Sequence, residues 1–256
     1  MRVHHEPIAE IDRYIANEKK YVLADKLPSY ERYLRYIRMV HPVDTTTRIL
    51  EIGTGTGWFP LLCKANGIPC RGLEISPQLI AVAMETGRQN GIDPDIHLGN
   101  IEDNDIGIET YDVIVASSVF EHVEHWREGL KKAYAALKPG GAFFFESTNK
   151  FCIRSAEYPL LFYGWMPDKM RYRFRIRKHG PDVMKLGIDF NQFRYPLLRQ
   201  AFREVGFRRI LDVVDLADPA SLPGWKRSVV SLSRKNGLFK HLVLTFYTAT
   251  SFVCVK

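Results

Sequence analysis

Glu51, Gly53, Gly55 and Gly57 fall at every second position, and Trp58 opens an apolar helical pattern directly after them. Ahead of the glycines, Ile49-Leu50-Glu51-Ile52 has the apolar content of a buried strand. A strand that breaks into glycines and then into a helix describes a tight turn that holds a ligand. Without Cβ the backbone can take positive φ, and a ligand can come close to it. The helix that follows offers unpaired N–H groups and the positive end of its dipole. A dinucleotide turn would space its glycines as GxGxxG; here they run GxGxG, with Glu51 two residues ahead of the first.

Such a turn calls for an acidic residue at the end of the next strand, about 20 positions on. Cys70–Glu74 reads as that strand, with Ser76 as N-cap and Pro77 at the first helical position. A carboxylate at Glu74 can accept hydrogen bonds from both hydroxyls of a ribose. This combination resembles motif I, and the acidic strand after it, of the class I S-adenosylmethionine (AdoMet) methyltransferases. Three more segments follow in that family's order. Ile96–Asp103 resembles the third strand and its exit loop, where the family usually carries Asp against the adenine amino group; here Asn100 stands there, so adenine would lean on Asn100, Ile101, Glu102 or Asp103. Tyr111–Ser118 resembles the fourth strand, and Val119–Val123 leaves it toward the donor methyl. Leu137–Glu146 resembles the helix end, Pro-Gly-Gly turn and fifth strand.

The resemblance spans residues 48–147. It implies AdoMet as cofactor and S-adenosylhomocysteine as product, with Glu51, Gly53, Thr54, Gly55, Gly57, Glu74, Ile75, Asn100, Ile101, Glu102 and Ser117 at the donor site. It also implies an α/β fold: a Rossmann-like, doubly wound, mostly parallel seven-stranded sheet with an antiparallel last strand, N-terminal helices and a lid insert after the fifth strand. Glu121-His122 is similar to the Glu-His pair of the ubiquinone-pathway O-methyltransferases, whose Glu-x-x-Glu-His pattern is associated with a divalent metal. Ser118 replaces the first Glu and is a poor ligand, so no metal is expected.

A sulfonium donor carries an already activated leaving group, so transfer needs alignment and exclusion of water more than acid catalysis. A base matters when the acceptor is a weakly acidic hydroxyl. His122 and His125 are the candidates, with His122 nearer the point where the methyl arrives. His122 has the alternative role of shaping the donor pocket, and His125 that of a surface or capping residue.

The elements that must position these residues alternate as βαβ units. Amphipathic helices are expected at Ile8 to about Val22 and Pro28 to about Val40. Strands are expected near 48–52, 70–75, 95–98, 111–116 and 142–147, with helices near 58–66, 77–90 and 125–137. Tyr195–Val205 reads as a helix, Arg208–Val214 as a strand, and Ala249–Val255 as the last strand. One domain over 1–256 is expected, divided into N-terminal helices (1–44), donor core (48–147), acceptor lid (148–192) and the rest of the sheet (193–256).

The formal net charge of +7 is concentrated in two stretches. Lys150–His179 holds eight Lys or Arg against Glu157 and Asp168, among aromatic residues that include Tyr158, Tyr163 and Trp165. Within it Arg171-Tyr172-Arg173-Phe174-Arg175-Ile176-Arg177 alternates strictly; as a strand it would aim Arg171, Arg173, Arg175 and Arg177 at one face, suited to an anionic acceptor or membrane surface, with Arg171, Arg173 and Arg175 expected at the acceptor. A solvated basic edge explains the same pattern, and so does single-stranded nucleic acid, although no RNA-binding module accompanies it. Lys226–Lys256 has six basic residues and no acidic one; Gly224–Tyr247 reads as an amphipathic helix over the sheet, with a place on a membrane surface as the alternative.

At 256 residues and 46% apolar composition the chain can bury a full core. It has no apolar run of membrane-spanning length and no apolar signal region, so a cytoplasmic protein is expected. Cys63, Cys70, Cys152 and Cys254 lack metal or disulfide spacing. The function expected is methyl transfer to a hydroxyl of a small or lipid-like acceptor with an anionic part, without nucleic acid and with peripheral membrane contact left open. The alternatives are N- or C-methylation of a metabolite, or an AdoMet-binding subunit that transfers nothing.

Overall fold

The computed structural model describes residues 11–154, 161–179 and 191–256, and the side chains of Ile11, Arg13, Arg175, Lys178 and His179 are outside that description. The expected start of the first helix at Ile8, and Tyr158, also lie outside the described residues.

Seven strands form one sheet in the order β3-β2-β1-β4-β5-β7-β6. They are β1 (Ile49–Ile52), β2 (Cys70–Glu74), β3 (Asp95–Leu98), β4 (Tyr111–Ser117), β5 (Leu137–Thr148), β6 (Arg209–Asp212) and β7 (Ala249–Val255). All neighbours from β3 to β5 are parallel, while β7 runs antiparallel between β5 and β6. Chain order reverses between β1 and β4, which leaves a crevice at their carboxyl ends. Gly53, Glu74 and Ser117 sit at the ends of β1, β2 and β4, so the topology gathers the expected donor residues at that crevice.

Helices cover both faces: α1 (Ile11–Glu18), α2 (Leu27–Arg38), α3 (Trp58–Ala65), α4 (Pro77–Gln89), α5 (Trp126–Ala136), α6 (Asp168–His179), α7 (Tyr195–Val205), α8 (Val213–Leu216), α9 (Gly224–Lys235) and α10 (Gly237–Phe246). The alternation of strand side chains decides what each face buries. Phe143 and Phe145 join Phe202, Phe207 and Phe252 in one core, while Phe144 between them joins Tyr33, Ile37 and Phe59 in the other. Helix α4 starts as its residues dictate, with Ser76 Oγ accepting from Leu79 N at 3.3 Å and Pro77 in the first turn. The four cysteines are buried, and none of them forms a disulfide among the described residues.

Three expectations are corrected. Arg171–Arg177 is helical, not a strand, because α6 runs from Asp168 to His179. At a helical pitch the alternate arginine positions separate into two pairs on different sides, so there is no single arginine face. Second, β6 stops at Asp212, since the Asp212 carboxylate accepts from Val214 N and Asp215 N and starts α8. Third, Gly224–Tyr247 is two helices, because Asn236 caps α10 through a bond from Phe239 N.

Candidate functional site

Positive φ at Gly53, Gly55 and Gly57 (67°, 56° and 75°) bends the chain sharply from β1 into α3. The three glycines have different neighbours. A Cβ on Gly53 would overlap the side chain of Val119, with Cγ1 at 2.9 Å, and one on Gly57 would sit 2.5 Å from Ala83 Cβ of α4. Among the described residues a Cβ on Gly55 would meet only the Tyr14 hydroxyl, 3.5 Å away. The outer two glycines let protein pack closely, and the middle one leaves backbone open toward the crevice.

Two buried carboxylates brace this turn. Glu51 accepts a hydrogen bond from the Thr54 hydroxyl, and burial, opposed by that bond, pushes its pKa up to about 8. Glu74 accepts from Gly55 N at 2.7 Å with one oxygen and from Ile75 N and Ser76 N, each at 3.0 Å, with the other. Burial raises its pKa above the usual carboxylate value, and the three N–H groups oppose that rise. Ile75 itself turns outward.

Beyond β3 the Asn100 amide oxygen accepts from Glu102 N at 3.0 Å, closing a small turn that buries Ile101. Glu102 then accepts from His125 N at 2.8 Å, tying this loop to the start of α5. His125 is the N-cap residue of α5, makes no side-chain cap bond and is exposed.

Past β4, Ser118 takes φ 56°, an uncommon value for a residue with Cβ, and aims Val119 at the glycine turn. His122 follows in the turn Phe120–His122 with its ring exposed, while Glu121 points inward and accepts from Ser147 Oγ at 2.9 Å. The two histidines are thus both accessible, and His122 lies closer along the chain to Val119.

Several residues at the site carried no signal in the sequence. Tyr14 lies over Gly55, and its hydroxyl is pushed up to about 12 by burial and then by Glu18, Glu74 and Glu51. Tyr33 donates to Ser117 Oγ at 2.7 Å, and Ser117 Oγ donates to Glu146 Oε1 at 3.4 Å. Arg32 grips both oxygens of Glu146, at 2.6 and 3.0 Å, and its guanidinium lies 4.8 Å from the Tyr33 ring centre. Tyr33 and Ser117 are 84 positions apart and Arg32 and Glu146 are 114 apart, so local pattern could not announce these pairs.

The arginines expected at the acceptor have different surroundings. Arg171 is buried and donates to Asp168 at 2.8 Å, whereas Arg173 is exposed. Among the described residues no group of three or more His, Cys, Asp or Glu is arranged for a metal ion. Among the same residues no helix is long and apolar enough to cross a membrane.

A family model described as a methyltransferase domain matches residues 9–212, most of the chain. The chain belongs to the class I S-adenosylmethionine-dependent methyltransferases. Among curated relatives, a ubiquinone biosynthesis O-methyltransferase of a Methylobacterium species is 32% identical over 125 residues, 46% of this chain and 49% of the relative. The chain therefore spans about half the length of that relative. A structure of an AdoMet-dependent methyltransferase from Archaeoglobus fulgidus covers 95% of this chain and 99% of its own at a TM-score of 0.55 and 17% identity. A phosphoethanolamine N-methyltransferase 2 of Haemonchus contortus, solved with phosphomonomethylethanolamine and S-adenosylhomocysteine, matches 88% of this chain and 52% of its own at 0.57 and 14%. Among methyltransferases, the open backbone at Gly55 beside the Glu74 carboxylate fits a ribose-bearing donor, because a side chain there would enter the crevice.

Proposed function

We propose that this methyltransferase moves a methyl group from AdoMet to a hydroxyl oxygen of a small or lipid-like acceptor carrying an anionic part. When bound, AdoMet supplies a methyl group activated by its sulfonium. Glu74 would take the ribose hydroxyls, exchanging part of its backbone bonding for them, and Asn100, Ile101 and Glu102 would border the adenine. Gly53, Thr54 and Gly55 would hold the methionine end, with Glu51 and Ser117 behind them. His122 would accept the hydroxyl proton as the O–C bond forms and the C–S bond breaks, leaving S-adenosylhomocysteine.

The observation that carries an oxygen acceptor is the position of Arg32. A carboxylate beside aromatic rings would suit a cationic amine, and Glu146 with Tyr33 and Tyr36 makes such a surround. Arg32 already fills it, bidentate on Glu146 and facing both rings at 4.8 and 6.0 Å. An accessible imidazole three residues beyond Val119 then supports a hydroxyl that needs a base.

The test is incubation with methyl-labelled AdoMet and matched pairs of aromatic acids that differ only in hydroxyl against amine. Label is expected on the hydroxyl compounds with equimolar S-adenosylhomocysteine. Label on the amines alone would overturn the oxygen reading, and donor binding without turnover of any compound would favour a non-catalytic subunit.

A further inference from the structure

Helix α10 buries Leu244 but turns Leu238, Leu242 and Phe246 outward, at 83%, 54% and 36% exposure. Spaced four apart, they form one stripe along the helix. The stripe continues off the helix. The Phe246 ring stacks on Trp165, with centroids 5.7 Å and planes 17° apart, and Phe162 meets Trp165 edge-on at 5.4 Å. Phe162 is held at φ 58° and is still 46% exposed. A bulky residue in that conformation costs free energy, and the part of Phe162 left in water recovers none of it.

Helix α6 begins three residues after Trp165 and packs back on the same segment through Phe174 and Tyr163, whose rings lie 6.0 Å apart. Arg171 points inward to Asp168, the one acidic residue of α6. Lys169, Met170, Arg173, Ile176 and Arg177 remain exposed. Cations interleaved with apolar side chains, beside an aromatic and aliphatic stripe, match the composition of surfaces that lie in the headgroup region of anionic bilayers.

We propose that the stripe of α10, the Phe162–Trp165 segment and the outer side of α6 together dock on an anionic phospholipid surface. Charge separates this occupant from a second copy of the chain. A twofold interface would set the patch against itself, bringing two sets of the exposed cations Lys169, Arg173 and Arg177 face to face. An acidic lipid surface turns the same charge into attraction. The inference stands apart from the choice of acceptor, because it concerns where the enzyme sits.

Flotation of the full chain with vesicles of phosphatidylcholine, and of phosphatidylcholine mixed with phosphatidylglycerol, tests it. Binding is expected to the mixed vesicles, weakened by salt. Arg173→Ala with Arg177→Ala should lower the partition coefficient by at least roughly tenfold, at about fivefold for each basic charge. Leu238→Asp with Leu242→Asp should lower it by at least roughly tenfold as two apolar contacts are lost. Both double variants should bind S-adenosylhomocysteine like the parent, which separates this result from any fault in the donor site. The idea is overturned by absence of flotation with the mixed vesicles, or by flotation that neither double variant changes. It is also overturned by a dimer in sedimentation that Leu238→Asp with Leu242→Asp dissolves, since the stripe would then belong to a second copy.

Discussion

Val119 occupies the space that a side chain on Gly53 would need, so the turn after β1 and the exit from β4 are locked against each other. Gly53→Ala would have to displace Val119 and also hold φ 67° with a Cβ, a conformation costing about 1–2 kcal/mol by itself. Calorimetry should find S-adenosylhomocysteine bound at least roughly tenfold more weakly. Adding Val119→Ala should restore part of the lost melting temperature, because it returns the space without relieving the backbone. No recovery in the double variant would mean that the two residues are not coupled.

Glu74 is the residue on which donor affinity should depend most. Hydrogen bonds to a charged group contribute about 1.5–3 kcal/mol, so Glu74→Ala should weaken S-adenosylhomocysteine binding by roughly ten- to a hundredfold. Circular dichroism would verify that the sheet survives. An affinity equal to the parent's would remove Glu74 from the donor site.

Glu51 should make stability depend on pH in a direction opposite to that of a surface carboxylate. The unfolded chain releases this proton near pH 4.5, the folded chain only near 8. Between these values the folded state holds a proton that the unfolded state lacks, so stability falls as pH rises and levels off above about 8. Glu51→Gln should abolish this fall: thermal scans should show its advantage over the parent growing from pH 5 to about pH 8. A constant difference across that interval would show that Glu51 stays ionised.

His122→Ala should lower kcat for a hydroxyl acceptor by at least about a hundredfold, the lower range of general-base contributions, while donor binding stays near the parent's. His125→Ala should act weakly, since that residue caps α5 by position and its backbone N–H, not its ring, is held by Glu102. A loss confined to His125→Ala would move the base by three residues and leave the reaction class unchanged.

The donor half of the molecule was legible because its signals are local. The spacing of Gly53, Gly55 and Gly57, the carboxylate ending β2 and the Ser76-Pro77 helix start each act within a few residues. The helix Tyr195–Val205 and the strand Ala249–Val255 have the bounds their own residues predict, for the same reason. The arginine alternation misled because period two says nothing about partners. Pro167-Asp168 ahead of it was the helix-start signal, and Arg171 found its carboxylate one turn back. The far side of the site was not legible at all. Arg32 and Glu146 are 114 positions apart, and neither shows in its own neighbourhood what it will meet.

The place of β7 in the sheet sets an order of events during synthesis. It lies between β5 and β6, which do not touch, and it is made after both. Until residues 249–255 emerge from the ribosome, β5 shows an unpaired edge carrying Phe143, Phe144 and Phe145, and β6 has no strand to pair with. Such edges invite pairing with other chains. A premature stop anywhere in α10 would therefore be read by the cell first as an aggregation hazard and only second as a missing enzyme.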